Sequence, residues 1–116
     1  ADFRGETLIT YPVERTRLDV FSQLLIPAKV EPATIRQVEL TAVILLLVAS
    51  NRGVSVLPDW VVREVKYSSD YVTRPLTAEG ITRRLYAAVR RDDLGKPYMD
   101  ELLKLAGQEA RKLQRA

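Results

Sequence analysis

Residues 34–62 read TIRQVELTAVILLLVASNRGVSVLPDWVV, an alternation of short strands and helices with almost no loop between them. The pattern predicts a strand over 34–39, a helix over 41–52 and an apolar strand over 54–57. Gly53 suits the left-handed conformation that commonly closes a helix. A strand, a helix and a strand in direct succession form a β-α-β unit, so both strands are expected to lie parallel in one sheet.

The segments on either side of this unit continue the alternation. Leu18, Phe21 and Leu25 recur at helical spacing. They predict a helix over 16–26, which Pro27 ends. The chain is therefore predicted to have an α/β fold, with a mixed sheet whose parallel β-α-β core is flanked by helices. The remaining predicted elements are strands over 6–12, 71–76 and 81–90, a short helix from Asp59 and a final helix over 97–113.

Two of these helices carry large apolar surfaces. The helix over 41–52 contains an unbroken apolar run from Ala42 to Ala49, which is typical of a helix buried on most sides. The final helix has one apolar stripe that is expected to be buried. Because large exposed apolar patches bind partners, we expect the chain to self-associate where these faces lack a cover. The stripe consists of Met99, Leu102, Leu103, Ala106, Ala110 and Leu113.

The composition argues against catalysis and metal binding. The chain has no Cys and no His, so it lacks a thiolate nucleophile, the commonest general base near neutral pH and the commonest metal ligand. The adjacent carboxylates Asp92-Asp93 and Asp100-Glu101 are expected to be solvated. We therefore expect a protein that is not an enzyme and that has no cofactor or metal.

Charge and hydropathy favour a cytoplasmic protein without a membrane partner. The net charge of +3 is spread along 116 residues, with only Arg83-Arg84 and Arg90-Arg91 as local basic pairs, whereas a nucleic-acid-binding protein usually has a denser basic face. The longest apolar run is far shorter than the roughly 20 residues needed to cross a bilayer. The N-terminus has neither a signal segment nor an initiator Met, which indicates a processed chain or an excised domain.

A small molecule is expected to bind at the carboxyl ends of the predicted parallel strands. Thr41 offers a hydroxyl and open helix N–H groups to an anionic ligand group, and it is also expected to be the N-cap. Glu39 can pair with an ammonium group, although such a residue is more often only solvated. Trp60 either walls a cleft or packs into the core, and core packing is the stronger expectation. The full candidate binding set is Thr10, Tyr11, Pro12, Glu39, Leu40, Thr41 and Trp60.

Residues 49–62 also have the alanine–glycine spacing of a helix-turn-helix, given by Ala49 and Gly53. A small DNA-binding protein is therefore one alternative, with the second helix as the base reader. However, 54–62 offers few donors to base edges, and Pro58 would fall inside that helix. The residues favour the β-α-β interpretation.

Several runs of the sequence form a family pattern. They are ETLITYPV (6–13), RTRLDV (15–20), NRGVSVLP (51–58), LPDWVV (57–62) and RLYAAVR (84–90), followed by a closing helix after Lys96-Pro97. Together they resemble the C-terminal regulatory domain of LysR-type bacterial transcription regulators, and within that family the regulators of methionine biosynthesis. The resemblance covers most of the chain and implies one lobe of a type II periplasmic-binding-protein-like fold.

The resemblance also implies what the chain contains and binds. Residues 1–82 would be the second regulatory subdomain, the effector-binding lobe, and 83–116 the returning strand and C-terminal helix of the first. The helix-turn-helix domain of such regulators is absent from this chain, so DNA contact is expected only through that absent N-terminal domain. The implied effector is homocysteine or a similar amino acid, and regulatory domains of this kind self-associate. One lobe of a periplasmic-type solute-binding protein is the other alternative.

Overall fold

Strands and helices alternate through the first part of the chain. The computed structural model describes residues 2–63 and 70–115, and for Arg115 it describes the backbone alone. The chain forms two compact units, 1–72 and 73–116. The assignment of 1–82 and 83–116 to two subdomains of a longer regulator stays a prediction. The elements are β1 (Thr7–Thr10), a π-helix (Val20–Leu25), β2 (Thr34–Gln37), α1 (Thr41–Ala49), β3 (Val54–Ser55), α2 (Asp59–Arg63) and α3 (Pro97–Arg115), with short 3₁₀ turns at Asp2–Gly5, Arg15–Arg17 and Arg91–Asp93.

The three strands form one parallel sheet in the order β2-β1-β3. Thr10 of β1 lies beside Gln37 of β2, and Ile9 lies beside Ser55 of β3. The predicted α/β class and the parallel arrangement are therefore confirmed, although each strand is shorter than predicted. The two strands of the β-α-β unit are not neighbours, because β1 lies between them and becomes the central strand.

The strands predicted over 71–76 and 81–90 are wrong. Residues 70–90 are all described, and none of them forms a strand. A strand exists only when a neighbouring strand accepts and donates its ladder hydrogen bonds, and all three strands of the sheet belong to other segments. Leu85, in the middle of the predicted second strand, is 94% exposed.

The core of the first unit forms around β1. Leu8 packs in one cluster with Phe21 and Leu25 of the π-helix, and all three are buried. The predicted helix over 16–26 is thus replaced by a 3₁₀ turn and a π-helix, in which the Ile26 N–H donates to the Phe21 carbonyl five residues back at 2.9 Å. The buried face predicted from the spacing of Leu18, Phe21 and Leu25 is confirmed for Phe21 and Leu25, and Leu18 packs partly buried against the cluster.

The C-terminus of α1 closes through Asn51 and not through Gly53 as predicted. Asn51 has a positive φ of 57° and donates its N–H to the Val48 carbonyl, while the Arg52 N–H donates to the Leu47 carbonyl. These two bonds satisfy the last carbonyl groups of the helix. Gly53 has another role, because a Cβ at this position would lie 2.5 Å from the Thr7 carbonyl oxygen.

The apolar faces of α1 and α3 are less buried than predicted. Ile44 and Leu45 of α1 are buried, but Leu46 is 65% exposed. In α3, Met99 and Leu103 are partly buried, whereas the other residues of the predicted stripe are exposed. The stripe keeps its helical spacing, but no described part of the chain covers it fully. Among residues 2–63 and 70–115, no helix is long and apolar enough to cross a membrane.

Candidate effector site

The carboxyl ends of the three parallel strands lie at one edge of the sheet, where α1 begins. Thr10, the last residue of the central strand, is buried, and its carbonyl accepts a hydrogen bond from the Val38 N–H at 2.8 Å. This bond links the end of β1 to the segment that leads into α1. The topology therefore brings Thr10 and Tyr11 close to the start of α1, as the sequence predicted for a parallel sheet.

Tyr11 and Thr41 meet at this edge. The Tyr11 hydroxyl and the Thr41 Oγ1 share a hydrogen bond of 2.5 Å in a partly buried position. The prediction that Thr41 is the N-cap is wrong, because Leu40 occupies the cap position and Thr41 is the first helical residue. The Thr41 hydroxyl binds the tyrosine instead of a backbone N–H of its own helix. Two hydroxyl groups from segments 30 residues apart thus form one polar feature beside the helix start.

The backbone at the start of α1 is suited to an anion. The Val43 and Ile44 N–H groups both donate to the Leu40 carbonyl. The N–H groups of Thr41 and Ala42 lie in the first turn, where an α-helix provides no acceptor of its own. Aligned peptide dipoles add partial positive charge at this end. A carboxylate in front of α1 would therefore meet N–H donors and the Tyr11–Thr41 hydroxyl pair together.

The other candidate residues are mostly exposed. Pro12 and Glu39 are exposed at the ends of their segments, and Leu40 is 65% exposed beside the helix start. Trp60 lies in α2, and its backbone N–H donates to the Asp59 side chain. Its side chain is 45% exposed, so the expectation that Trp60 packs into the core is wrong.

Ser55 lies at the same edge and was not among the predicted site residues. The Ser55 hydroxyl donates to the Ile9 carbonyl at 2.7 Å, which ties β3 to β1 one residue before Thr10. Its position as a single hydroxyl residue inside the apolar run 54–57 is the sequence feature that could have pointed to this bond. Ser55 therefore helps to fix the edge of the sheet.

A second missed residue is Asp93, far along the chain from this edge. It was expected to be solvated, yet it is 5% exposed and binds Lys96 and Arg90. These two basic groups lower the pKa of the Asp93 carboxyl, with Lys96 the larger cause. Arg90 and Lys96 each stand three residues from Asp93, a spacing that could have revealed the cluster. Among the residues that the structure describes, no three His, Cys, Asp or Glu side chains group as metal ligands do.

Comparison with known proteins agrees with the fold. Residues 1–111 match the family model of the LysR substrate-binding domain. The chain belongs to the LysR substrate-binding domain family. The regulatory domain of MetR, a LysR family regulator from N. meningitidis, superposes with a TM-score of 0.74 at 45% identity, over 86% of this chain and 46% of that chain.

Curated relatives of the chain are also named MetR. The HTH-type transcriptional regulator MetR of Escherichia coli (strain K12) is 38% identical over 109 residues, which cover 94% of this chain and 34% of that protein. The protein of that name from Haemophilus influenzae is 37% identical over 100 residues, covering 86% of this chain and 32% of its own length. The chain thus spans about a third of the length of these relatives.

The helix-turn-helix alternative for residues 49–62 is excluded. Val54–Ser55 is a strand that pairs with β1, so the segment after Gly53 lies in the sheet and cannot start a recognition helix. The short helix α2 begins only at Asp59. This segment of the regulatory domain is therefore a part of the sheet and its connection, and not a base reader.

Proposed function

We propose that this LysR-type regulatory domain senses homocysteine or a similar α-amino acid as part of a cytoplasmic regulator of methionine biosynthesis. The likeness to proteins named MetR supports the pathway. It also favours a regulator over a solute-binding protein of transport and over an enzyme. In the complete regulator, DNA would be bound by a helix-turn-helix domain, and regulatory domains would self-associate.

The observation that carries the proposal is the Tyr11–Thr41 hydroxyl pair at the start of α1. The ligand's carboxylate would accept hydrogen bonds from the Thr41 and Ala42 N–H groups and from one of the two hydroxyls. The exposed Glu39 carboxylate, two residues before the helix, would bind the ammonium group. These are the two charged groups that every α-amino acid carries.

The apolar part of the ligand would lie against apolar side chains at the same edge. Leu40 is 65% exposed there, and Pro12 is exposed where the chain leaves β1. Contact with a short thiol side chain would remove these surfaces from water. The arrangement offers partners for both charged groups of an amino acid and an apolar surface for its side chain, so its expected role is recognition.

Substitution of Thr41 tests the proposal in the full-length regulator. Thr41→Val keeps the shape of the residue and removes the hydroxyl. We expect the homocysteine concentration for half-maximal response to rise roughly ten- to a hundredfold, since a hydrogen bond to a charged group contributes about 1.5–3 kcal/mol. Operator affinity without effector should stay unchanged. The measurement is operator binding by fluorescence anisotropy during homocysteine titration.

Two variants control this experiment. Thr34→Val makes the same change at an exposed position at the opposite, amino end of the sheet, and its response should match the parent. Thr41→Ser retains the hydroxyl and should stay close to the parent. A parental response from Thr41→Val would reject the site, whereas a response of every variant to another metabolite, but not to homocysteine, would reject only the effector.

A further inference from the structure

Three donors converge on the carboxylate of Asp93, the buried residue of the described second unit. Lys96 Nζ donates to Oδ1 at 2.6 Å, and Arg90 Nε donates to Oδ2 at 2.8 Å. The Tyr98 hydroxyl donates to Oδ1 at 3.4 Å. Hydrogen bonds between ionised groups are short and about twice as strong as neutral ones. Both oxygens of this single carboxylate are therefore held by cations.

The donors lie on both sides of a tight turn. Arg90 precedes the 3₁₀ turn, and Lys96 and Tyr98 lie at the start of α3. Between them Gly95 has a φ of +80°, and a Cβ there would meet no atom within 4 Å. The positive φ therefore explains the glycine at this position. Steric contact does not explain it, because a side chain here would meet no neighbour. The backbone bond across the turn, from the Lys96 N–H to the Asp93 carbonyl, is long at 3.4 Å.

We infer that Arg90, Asp93, Lys96 and Tyr98 form a clasp that fixes the direction of α3 relative to the segment 81–90, which precedes the turn. No atom lies within 4 Å of a Cβ at Gly95, so this residue adds no packing to the turn, and the backbone bond there is weak. Without the carboxylate, Arg90 and Lys96 would be two like charges that repel each other. The clasp therefore fixes the relative positions of exposed side chains on the segment and on α3, such as Leu85 and Leu102.

Distance measurement within the second unit tests this inference. The chain has no Cys, so Ala88→Cys and Gln108→Cys give one specific pair of spin labels at exposed positions of the segment and of α3. Pulsed electron paramagnetic resonance on the 116-residue chain should show a single narrow distance distribution. Asp93→Ala should broaden it, whereas the matched control Asp92→Ala, at the exposed neighbouring acid, should leave it narrow.

Hydrogen exchange provides a second measurement on the same variants. The Met99 and Asp100 N–H groups donate to the Lys96 carbonyl, and their exchange in Asp93→Ala should be at least about tenfold faster, because two charge-assisted bonds are lost. Lys96→Met removes one of them and should give an intermediate effect. An unchanged distance distribution in Asp93→Ala would overturn the inference. Complete loss of α3 helicity by circular dichroism would also overturn it, because Asp93 would then nucleate the helix and not direct it.

Discussion

Gly53 shows how one residue joins α1 to the sheet. Its φ of +154° is a conformation that side chains rarely adopt, and a Cβ would lie 2.5 Å from the Thr7 carbonyl and 3.1 Å from Ile9 Cδ1. Thr7 belongs to the central strand, so the chain approaches the backbone of β1 directly before it enters β3. Only glycine allows this close approach without a shift of the sheet.

Gly53→Ala should therefore destabilise the first unit. We expect a loss of about 1–3 kcal/mol in the free energy of unfolding, because a strained backbone position costs energy of this size. Urea denaturation followed by circular dichroism measures it. Gly5→Ala is the matched control, since a Cβ there meets nothing within 4 Å, and its change should stay within about 0.5 kcal/mol. Equal midpoints for the two variants would contradict the close-approach argument.

The structural elements differ in how much of them the sequence could predict. The apolar run 42–49 and Pro97 at the first helical position carry local signals, and α1 and α3 were predicted close to their observed bounds. Residues 81–90 also alternate, yet they form no strand, because strand formation depends on a partner that alternation cannot reveal. Local spacing likewise predicted the buried face of the π-helix. It did not predict that the backbone hydrogen bonds there reach five residues back instead of four.

The sequence predicted which chain segments meet at the candidate site but not the contacts between their side chains. Topology alone brings the end of β1 to the start of α1, since parallel strands end at one edge. The Tyr11–Thr41 bond joins residues 30 positions apart, and nothing in either local sequence pairs them. The N-cap prediction failed for the same reason, because the threonine hydroxyl has a tertiary partner that competes with the helix backbone.

Acidification should weaken the start of α3 through Asp93. The Lys96 and Arg90 contacts lower the pKa of its carboxyl in the folded chain, whereas the unfolded chain has the ordinary value near 4. The folded state thus binds a proton at Asp93 less tightly than the unfolded state does. The ionised carboxylate therefore stabilises the folded state, and this stabilisation is complete above the ordinary pKa. That stability is lost as the pH falls through the lowered pKa of the folded state.

The measurement is α3 helicity by circular dichroism between about pH 7 and pH 2, for the parent and for Asp93→Asn. The parent should lose more helicity on the acid side than the variant, which is already uncharged at this position. The other carboxylates titrate in both proteins, so the difference between the two curves isolates Asp93. Identical curves would show that its ionisation does not stabilise α3.

The two compact units differ in what holds them together. Every buried apolar side chain among the described residues lies in the first unit. In the second unit, α3 has exposed leucines on its apolar stripe, and the Asp93 clasp ties its start to the turn that precedes it. Most of the stability of a helix in a protein comes from packing of its apolar face, which α3 largely exposes, whereas burial of each large core side chain stabilises the first unit by about 1.5–3 kcal/mol. The buried set is Leu8, Ile9, Val20, Phe21, Leu25, Val30, Ile44 and Leu45.

The units should therefore open separately. In native-state hydrogen exchange at increasing urea, the amides of α3 should exchange through an opening of low free energy, and those of Leu8 and Ile9 only through unfolding of the first unit. Leu8→Ala leaves a cavity in the core and should reduce the free energy of unfolding of the first unit by about 2–5 kcal/mol. It should leave the exchange rate of the Leu103 amide unchanged. An equal loss of protection at Leu103 would show that the chain unfolds as one cooperative body, in which the helix depends on the core of the first unit.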